Sequence, residues 1–181
     1  MNARQKQLEA VATLFVYPQV GYKIAAQNAM GAVGSAGPAL PAFMREIEGM
    51  PLNALQELYT STFDLQPLCS LDVGWHLFGE EYERGLLLAR MRRELRDHGI
   101  AESQELPDHL SHAMLLLARM GPADAEDFAC AAVGPALERM LKSTSSENVF
   151  RLLLESAQQL ITLHFPAACE PVGSIAEGAT L

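Results

Sequence analysis

Between its prolines and glycines this chain places apolar residues three and four positions apart, and nowhere does it alternate apolar with polar residues as a half-buried strand must. That period confines the chain to helices. Leu8, Val11, Ala12 and Phe15 stand at i, i+3, i+4 and i+7, the stripe of an amphipathic helix that stops at Tyr17-Pro18. A weaker helix, diluted by Ala and Gly, is predicted over 20–33. Pro38 and Pro51 suit the first turns of two short helices, one carrying Phe43, Met44 and Ile47, the other Leu52, Leu55, Leu58 and Tyr59. A loop from Asp64 to Ser70 then leads to a short helix near 71–78.

Glu80, Glu81 and Glu83 open the next segment and Arg90, Arg92, Arg93 and Arg96 close it, matching the helix dipole, with His98-Gly99 as the stop. Pro107 is expected to start a helix through Arg119. Gly121-Pro122 breaks it, and a further helix runs to Lys142 with a kink or split at Gly134-Pro135. Ser145 or Ser146 is the expected cap of the last helix, 147–164, with Val149, Leu152, Leu153, Leu160, Ile161 and Leu163 facing inward. The expected fold class is all-α: a single-domain bundle of about seven to nine helices over 1–165, with a flexible C-terminal tail at 166–181.

A length of 181 residues suffices for one well-packed core. With 49% hydrophobic and 19% charged residues, the composition is that of a globular protein rather than a disordered one. The longest uncharged apolar runs, such as the one after Glu9 and MLLLA at 114–118, are too short to span a bilayer. Glu9 and Tyr17-Pro18 also argue against a secretory signal, so a cytoplasmic location is expected. Cys69, Cys130 and Cys169 are odd in number and dispersed, which indicates neither a disulfide framework nor a thiolate metal clip. The net charge of −9 argues against nucleic acid as a partner. Residues 64–79 carry Asp64 and Asp72 without a single Lys or Arg, which suits a basic partner, although ordinary solubility charge accounts for most of the acidic excess.

Motifs for catalysis are missing. Asp72/His76 and Asp108/His112 are i, i+4 pairs that would each share one helix face and orient each other, with Asp108 in a helix first turn. Neither Glu-x-x-His nor HExxH occurs, so a metal site is not expected. There is no GxSxG elbow, and GAVGSAG at 31–37 follows no strand and precedes no Lys. No catalytic residue, no metal ligand and no stably bound cofactor are predicted.

The large rings are concentrated instead in Leu55 to Gly79, LQELYTSTFDLQPLCSLDVGWHLFG. Tyr59, Phe63, Trp75, His76 and Phe78 crowd into 20 positions of a chain that is only 7% aromatic. Rings supply large contact areas, and Tyr, Trp and His add polar handles. The plainer alternative is that these rings simply fill the core. Their grouping around a loop-broken segment points to a groove between helices of the kind that accepts an amphipathic peptide helix.

At this segment the chain resembles the delta subunits of respiratory nitrate reductases, within the wider TorD-like redox-enzyme maturation chaperones. The residues that carry the resemblance are LQELYTSTFD at 55–64, Leu71, His76-Leu77-Phe78-Gly79, Arg84-Gly85, the charged helix 80–97 and ELPDHL at 105–110. Glu57-Leu58-Tyr59 and the Thr62-Phe63-Asp64 turn are similar to the nitrate-reductase branch rather than to the TorD pattern. The resemblance implies an all-helical cytoplasmic chaperone with no catalytic activity. Such a protein binds the catalytic subunit of a molybdoenzyme through its N-terminal leader and assists insertion of the bis-molybdopterin guanine dinucleotide cofactor.

Combining the two readings, the expected client-binding groove comprises Tyr59, Phe63, Asp64, Leu71, Asp72, His76 and Phe78, and it holds a basic, amphipathic leader helix. A general helical peptide-docking protein, or a metal-binding helical protein, is the alternative. A monomer is the default expectation.

Overall fold

Helices appear where the apolar period calls for them, and the side chains of Asn2, His109 and Asn148 cap three of them. The computed structural model describes residues 1–169; most of the tail expected at 166–181 lies outside the described residues. These contain ten α-helices: α1 (Ala3–Ala12), α2 (Tyr22–Val33), α3 (Leu40–Glu48), α4 (Leu52–Tyr59), α5 (Val73–Phe78), α6 (Tyr82–Asp97), α7 (Leu110–Arg119), α8 (Pro122–Phe128), α9 (Gly134–Ser143) and α10 (Val149–His164). Helix α4 runs directly into a π turn, Thr60–Asp64, and a second π turn, Ala129–Val133, joins α8 to α9. The described residues therefore form nine continuous helical rods. They contain no strand; one isolated antiparallel bridge links Asp72 and His109. This is the all-α bundle the periodicity predicts.

Helix α10 is the central rod, packed on α3, α9 and α1, while α1 also lies against α7 and α2. The stripe Leu8, Val11, Ala12 and Phe15 is buried as expected, against a core that includes Phe43, Ile47, Leu110, Leu117, Leu137, Phe150, Leu153 and Leu160. Helix α6 is the exception: only Met91 and Leu95 are buried along its length, and Tyr82 and Leu86 in its first half stand in solvent.

Several boundaries differ from expectation, each for a local reason. Pro38 precedes α3 rather than opening it, and Pro41 takes the first-turn place instead. Pro51 occupies the cap position of α4. Helix α7 begins at Leu110, not Pro107, because the Asp108 carbonyl accepts Val73 N–H (2.8 Å) and the Leu110 N–H donates to the Leu71 carbonyl (2.8 Å), drawing this stretch into extended pairing. The last helix is capped by Asn148, whose Oδ1 accepts Phe150 N–H at 2.9 Å, rather than by Ser145 or Ser146. On α10 the inward residues are Phe150, Leu153, Leu154, Ala157, Leu160 and Ile161, whereas Leu163 faces solvent. At Gly134-Pro135 the rod widens rather than splits. Pro135 has no N–H to give and its ring would strike the Ala131 carbonyl, and the π turn just before it relieves both.

Candidate functional site

A polar cleft of about 280 Å3 opens where α4, the 64–72 segment and the approach to α7 meet; it is lined by Tyr59, Phe63, Asp64, Ser70, Leu71, Asp72, Glu105 and His109. Its floor is aromatic. Tyr59, Phe63 and Phe150 touch one another edge to face, with ring centroids 5.1, 5.5 and 5.3 Å apart, and Tyr17 also meets Tyr59 edge to face at 5.8 Å. Tyr59 and Phe63 are only 4% and 5% exposed, so each belongs to the core and presents no more than an edge to the cleft.

The π turn is what lets one short segment serve both. Leu65 N–H reaches back five residues to the Thr60 carbonyl (3.0 Å), widening the last turn so that Phe63 turns inward while its neighbour Asp64 reaches the cleft. Thr62 holds the turn in place: its hydroxyl donates to the Leu58 carbonyl (2.6 Å) and accepts from Asn148 Nδ2 (2.7 Å).

The second wall comes from the bridged pair of extended segments, which set Leu71 and Asp72 beside Asp108 and His109. His109 caps α7, its Nδ1 accepting Ser111 N–H at 3.3 Å. Burial, reinforced by neighbouring His112, pushes His109 down to about 3. The ring is therefore neutral, and with Nδ1 accepting, its proton sits on Nε2. His112 pins the preceding loop: Nδ1 donates to the Leu106 carbonyl (2.9 Å) and Nε2 accepts Ser103 N–H (3.3 Å). That loop delivers Glu105 to the cleft mouth.

Three carboxylates, Asp64, Asp72 and Glu105, thus face one small space with no Lys or Arg among its lining residues. Their fields act on each other and on the phenol below them. Burial and then the charges of Glu105, Asp64 and Asp72 push the Tyr59 hydroxyl upward. Partial burial, followed by the charges of Asp64 and Asp72, raises the pKa of the Glu105 carboxyl. Such a site favours a cation.

Behind the cleft lies an ion-pair relay. Arg84 Nη2 donates to Asp72 Oδ2 (2.9 Å) and its Nε donates to Asp108 Oδ2 (3.2 Å). Asp108 is fully buried, and Gly74 N–H gives the same Oδ2 a second bond at 3.1 Å. Arg84 also lies over the Trp75 ring, its Cζ 5.6 Å from the centroid.

Of the residues expected to form the groove, Tyr59, Phe63, Asp64, Leu71 and Asp72 line the cleft, and His76 and Phe78 do not. His76 is buried and donates Nε2–H to the Ser70 carbonyl at 2.6 Å, bracing the segment from behind; burial is the chief cause of its lowered pKa. Half-buried Phe78 ends α5. Neither expected i, i+4 pair forms. Asp72 turns to Arg84 instead of His76, and Asp108 lies ahead of α7, paired with Arg84 rather than with His112. Asp72 also precedes α5 as its cap residue, so the helical spacing assumed for it never applies. Sequence reasoning left Glu105, His109 and Ser70 out of the groove. ELPDHL was the available signal, but its spacing says nothing about which wall it joins. Among the described residues, no three His, Cys, Asp or Glu side chains gather as metal ligands would.

Fold and cleft together define a small all-helical protein of the TorD/NarJ-like type. The sequence model of the nitrate reductase delta subunit family matches residues 27–168, and the chain belongs to that family. Similar proteins include the nitrate reductase molybdenum cofactor assembly chaperone NarJ of Escherichia coli strain K12, 35% identical over 89 residues, which are 48% of this chain and 37% of that protein. The protein of the same name from Escherichia coli O157:H7 aligns to the same extent. The matched region thus spans little more than a third of these relatives' length. No helix among the described residues is long and apolar enough to cross a membrane.

Proposed function

We propose that this protein is an assembly chaperone for the catalytic subunit of a molybdoenzyme of the nitrate-reductase type, and that its acidic cleft receives the client's basic N-terminal leader while the molybdenum cofactor is inserted. Family membership and the relatives' name set the chain among assembly proteins rather than catalysts. The observation that carries the reading is the convergence of Asp64, Asp72 and Glu105 over a ring-floored space. At about 280 Å3 the cleft lies at the small end of ligand sites. It has room for a guest's anchoring side chains rather than for a whole helix, so the leader helix lies across its mouth. Leu65 and Leu68, both exposed in the loop between Asp64 and Ser70, supply apolar contact there.

Burial of a few aliphatic anchors at about 1.5–3 kcal/mol each is largely offset by ordering the peptide and by association entropy. Micromolar binding, about −8 kcal/mol, is the expected scale and permits release. The carboxylates act through steering and register more than through raw affinity.

Calorimetry with an amphipathic, arginine-bearing peptide of about 15 residues tests this. Wild type should bind in the micromolar range, and the Asp64→Asn/Glu105→Gln double variant should bind at least about tenfold more weakly, with a shallower salt dependence. Because a bound cation lowers the raised pKa of Glu105, binding expels a proton when that carboxyl is protonated, and affinity should fall as the pH is lowered from neutral. Equal affinity for wild type and the double variant would overturn the cleft assignment.

A further inference from the structure

One carboxylate of the cleft, Asp72, is already paired with a cation of the chain itself, Arg84, which lies behind the cleft wall. We infer that Arg84 is a built-in competitor for Asp72, and that a guest guanidinium enters by displacing it onto Asp108. The inference deepens the leader-binding reading, since it treats Asp72 as part of the guest's site.

The geometry carries it. The Nε and Nη2 hydrogens of an arginine lie on one edge of the guanidinium and match the two oxygens of a single carboxylate. In Arg84 this edge is divided: Nη2 serves Asp72 Oδ2 at 2.9 Å and Nε serves Asp108 Oδ2 at 3.2 Å. The second oxygen of Asp108, Oδ1, is buried and has no hydrogen-bond partner. A fully buried carboxylate oxygen without a partner is costly. Bringing Nη2 from Asp72 onto Asp108 Oδ1 completes a two-bond fork and satisfies it. Two arrangements of the same arginine are therefore available, and they differ in whether Asp72 is free.

The surroundings suit an exchange between them. Asp72 retains 23% side-chain exposure and lines the cleft, whereas Asp108 is sealed, so an arriving cation reaches the first and not the second. In the exchange an external guanidinium takes the Asp72 contact and the internal one keeps its charge paired, so no buried charge is left alone. A guest lysine, a point charge without a fork, replaces Arg84 less well than arginine. Arg84 keeps 18% side-chain exposure and stands on the first half of α6, in which no residue is buried, so its two positions link cleft occupancy to that helix.

Trp75, the only tryptophan in the chain, reports the exchange because Arg84 lies over its ring. In the full-length protein without any peptide, Asp72→Asn removes the outer anchor. Its Trp75 emission should then shift in the same direction, and by a similar amount, as wild type saturated with the arginine-bearing peptide. Asp64→Asn, which removes an equal charge not bonded to Arg84, should leave the emission unmoved. The Arg84→Gln/Asp108→Asn double variant keeps a neutral buried pair while freeing Asp72; it should bind the peptide about three- to tenfold more tightly than wild type. Unchanged or weaker binding by that folded double variant overturns the inference, as does a peptide-free Asp72→Asn spectrum identical to wild type. If wild type binds no arginine peptide, the leader reading and displacement by a guest both fail, while a shifted spectrum of peptide-free Asp72→Asn still shows that Arg84 has a second position.

Discussion

A β-carbon built on Gly74 comes 2.6 Å from Asp108 Oδ2, 3.0 Å from Leu87 Cδ2 and 3.2 Å from Arg84 Cγ. Glycine is needed there for close approach, since the same residue's N–H must reach the Asp108 carboxylate. Gly74→Ala should therefore cost about 1–3 kcal/mol, seen as a lowered urea midpoint with an unchanged slope. A midpoint equal to wild type would show that the Arg84–Asp108 pair shifts freely. The same scale decides how the cleft can be probed. Phe63→Ala removes one of three mutually packed rings and should cost about 3–5 kcal/mol in stability, so loss of peptide binding in that variant says little about recognition. Asp64 and Glu105, at the mouth, are the residues whose replacement separates binding from folding. The sequence allowed the rings to be noticed, but their burial depends on Phe150, nearly 90 residues further along, and no local pattern encodes that contact.

The two π turns are the elements that depart most from a regular bundle. One places Asp64 on the cleft; the other accommodates Pro135 within a continuous rod. Only the second announces itself in the sequence, through a proline that the helix must avoid. The first is stabilised from a distance by Asn148, which caps α10 through its Oδ1 while its Nδ2 donates to Thr62. Asn148→Ala should lose both, at about 1 kcal/mol for the cap and a similar amount for the bond to the turn. Thr62→Val removes that second bond together with the hydroxyl's own bond to the Leu58 carbonyl, and leaves the cap intact. A double-mutant cycle measured by chemical denaturation should show coupling between the two residues, and strict additivity would separate the helix cap from the turn. The late start of α7 belongs to this scale too. Pro107 signals a helix, yet the backbone groups of Asp108 and Leu110 are claimed by Val73 and Leu71 first.

At the scale of the whole molecule, buried imidazoles tie stability to pH. An unfolded histidine takes up its proton near 6.5, whereas folded His109 does so only at about 3. Between those values the unfolded state binds more protons, so stability is full above about pH 6.5 and declines on acidification, by up to about 1.4 kcal/mol per pH unit for each such group. His76, also lowered, adds to the decline, while Glu105 and Asp108, both raised, oppose it further into the acid range. Urea midpoints should thus fall from pH 7 to 5.5. His109→Asn, which preserves a capping oxygen for α7, should flatten that slope. The periodicity and the Pro and Gly punctuation by themselves determined the all-helical class, the rods and most of their order, because a helix satisfies its own backbone and its apolar stripe repeats within a few residues. One wall of the cleft, 59–72, was also visible as an aromatic and acidic cluster, whereas the wall from 105–109 was not. Which of their side chains meet was decided by the tertiary structure alone. Asp72 reaches Arg84 rather than His76, and Glu105 faces Asp64 across about 40 intervening residues, because ion pairs and buried carboxylates are settled by whichever partner the folded chain brings within reach.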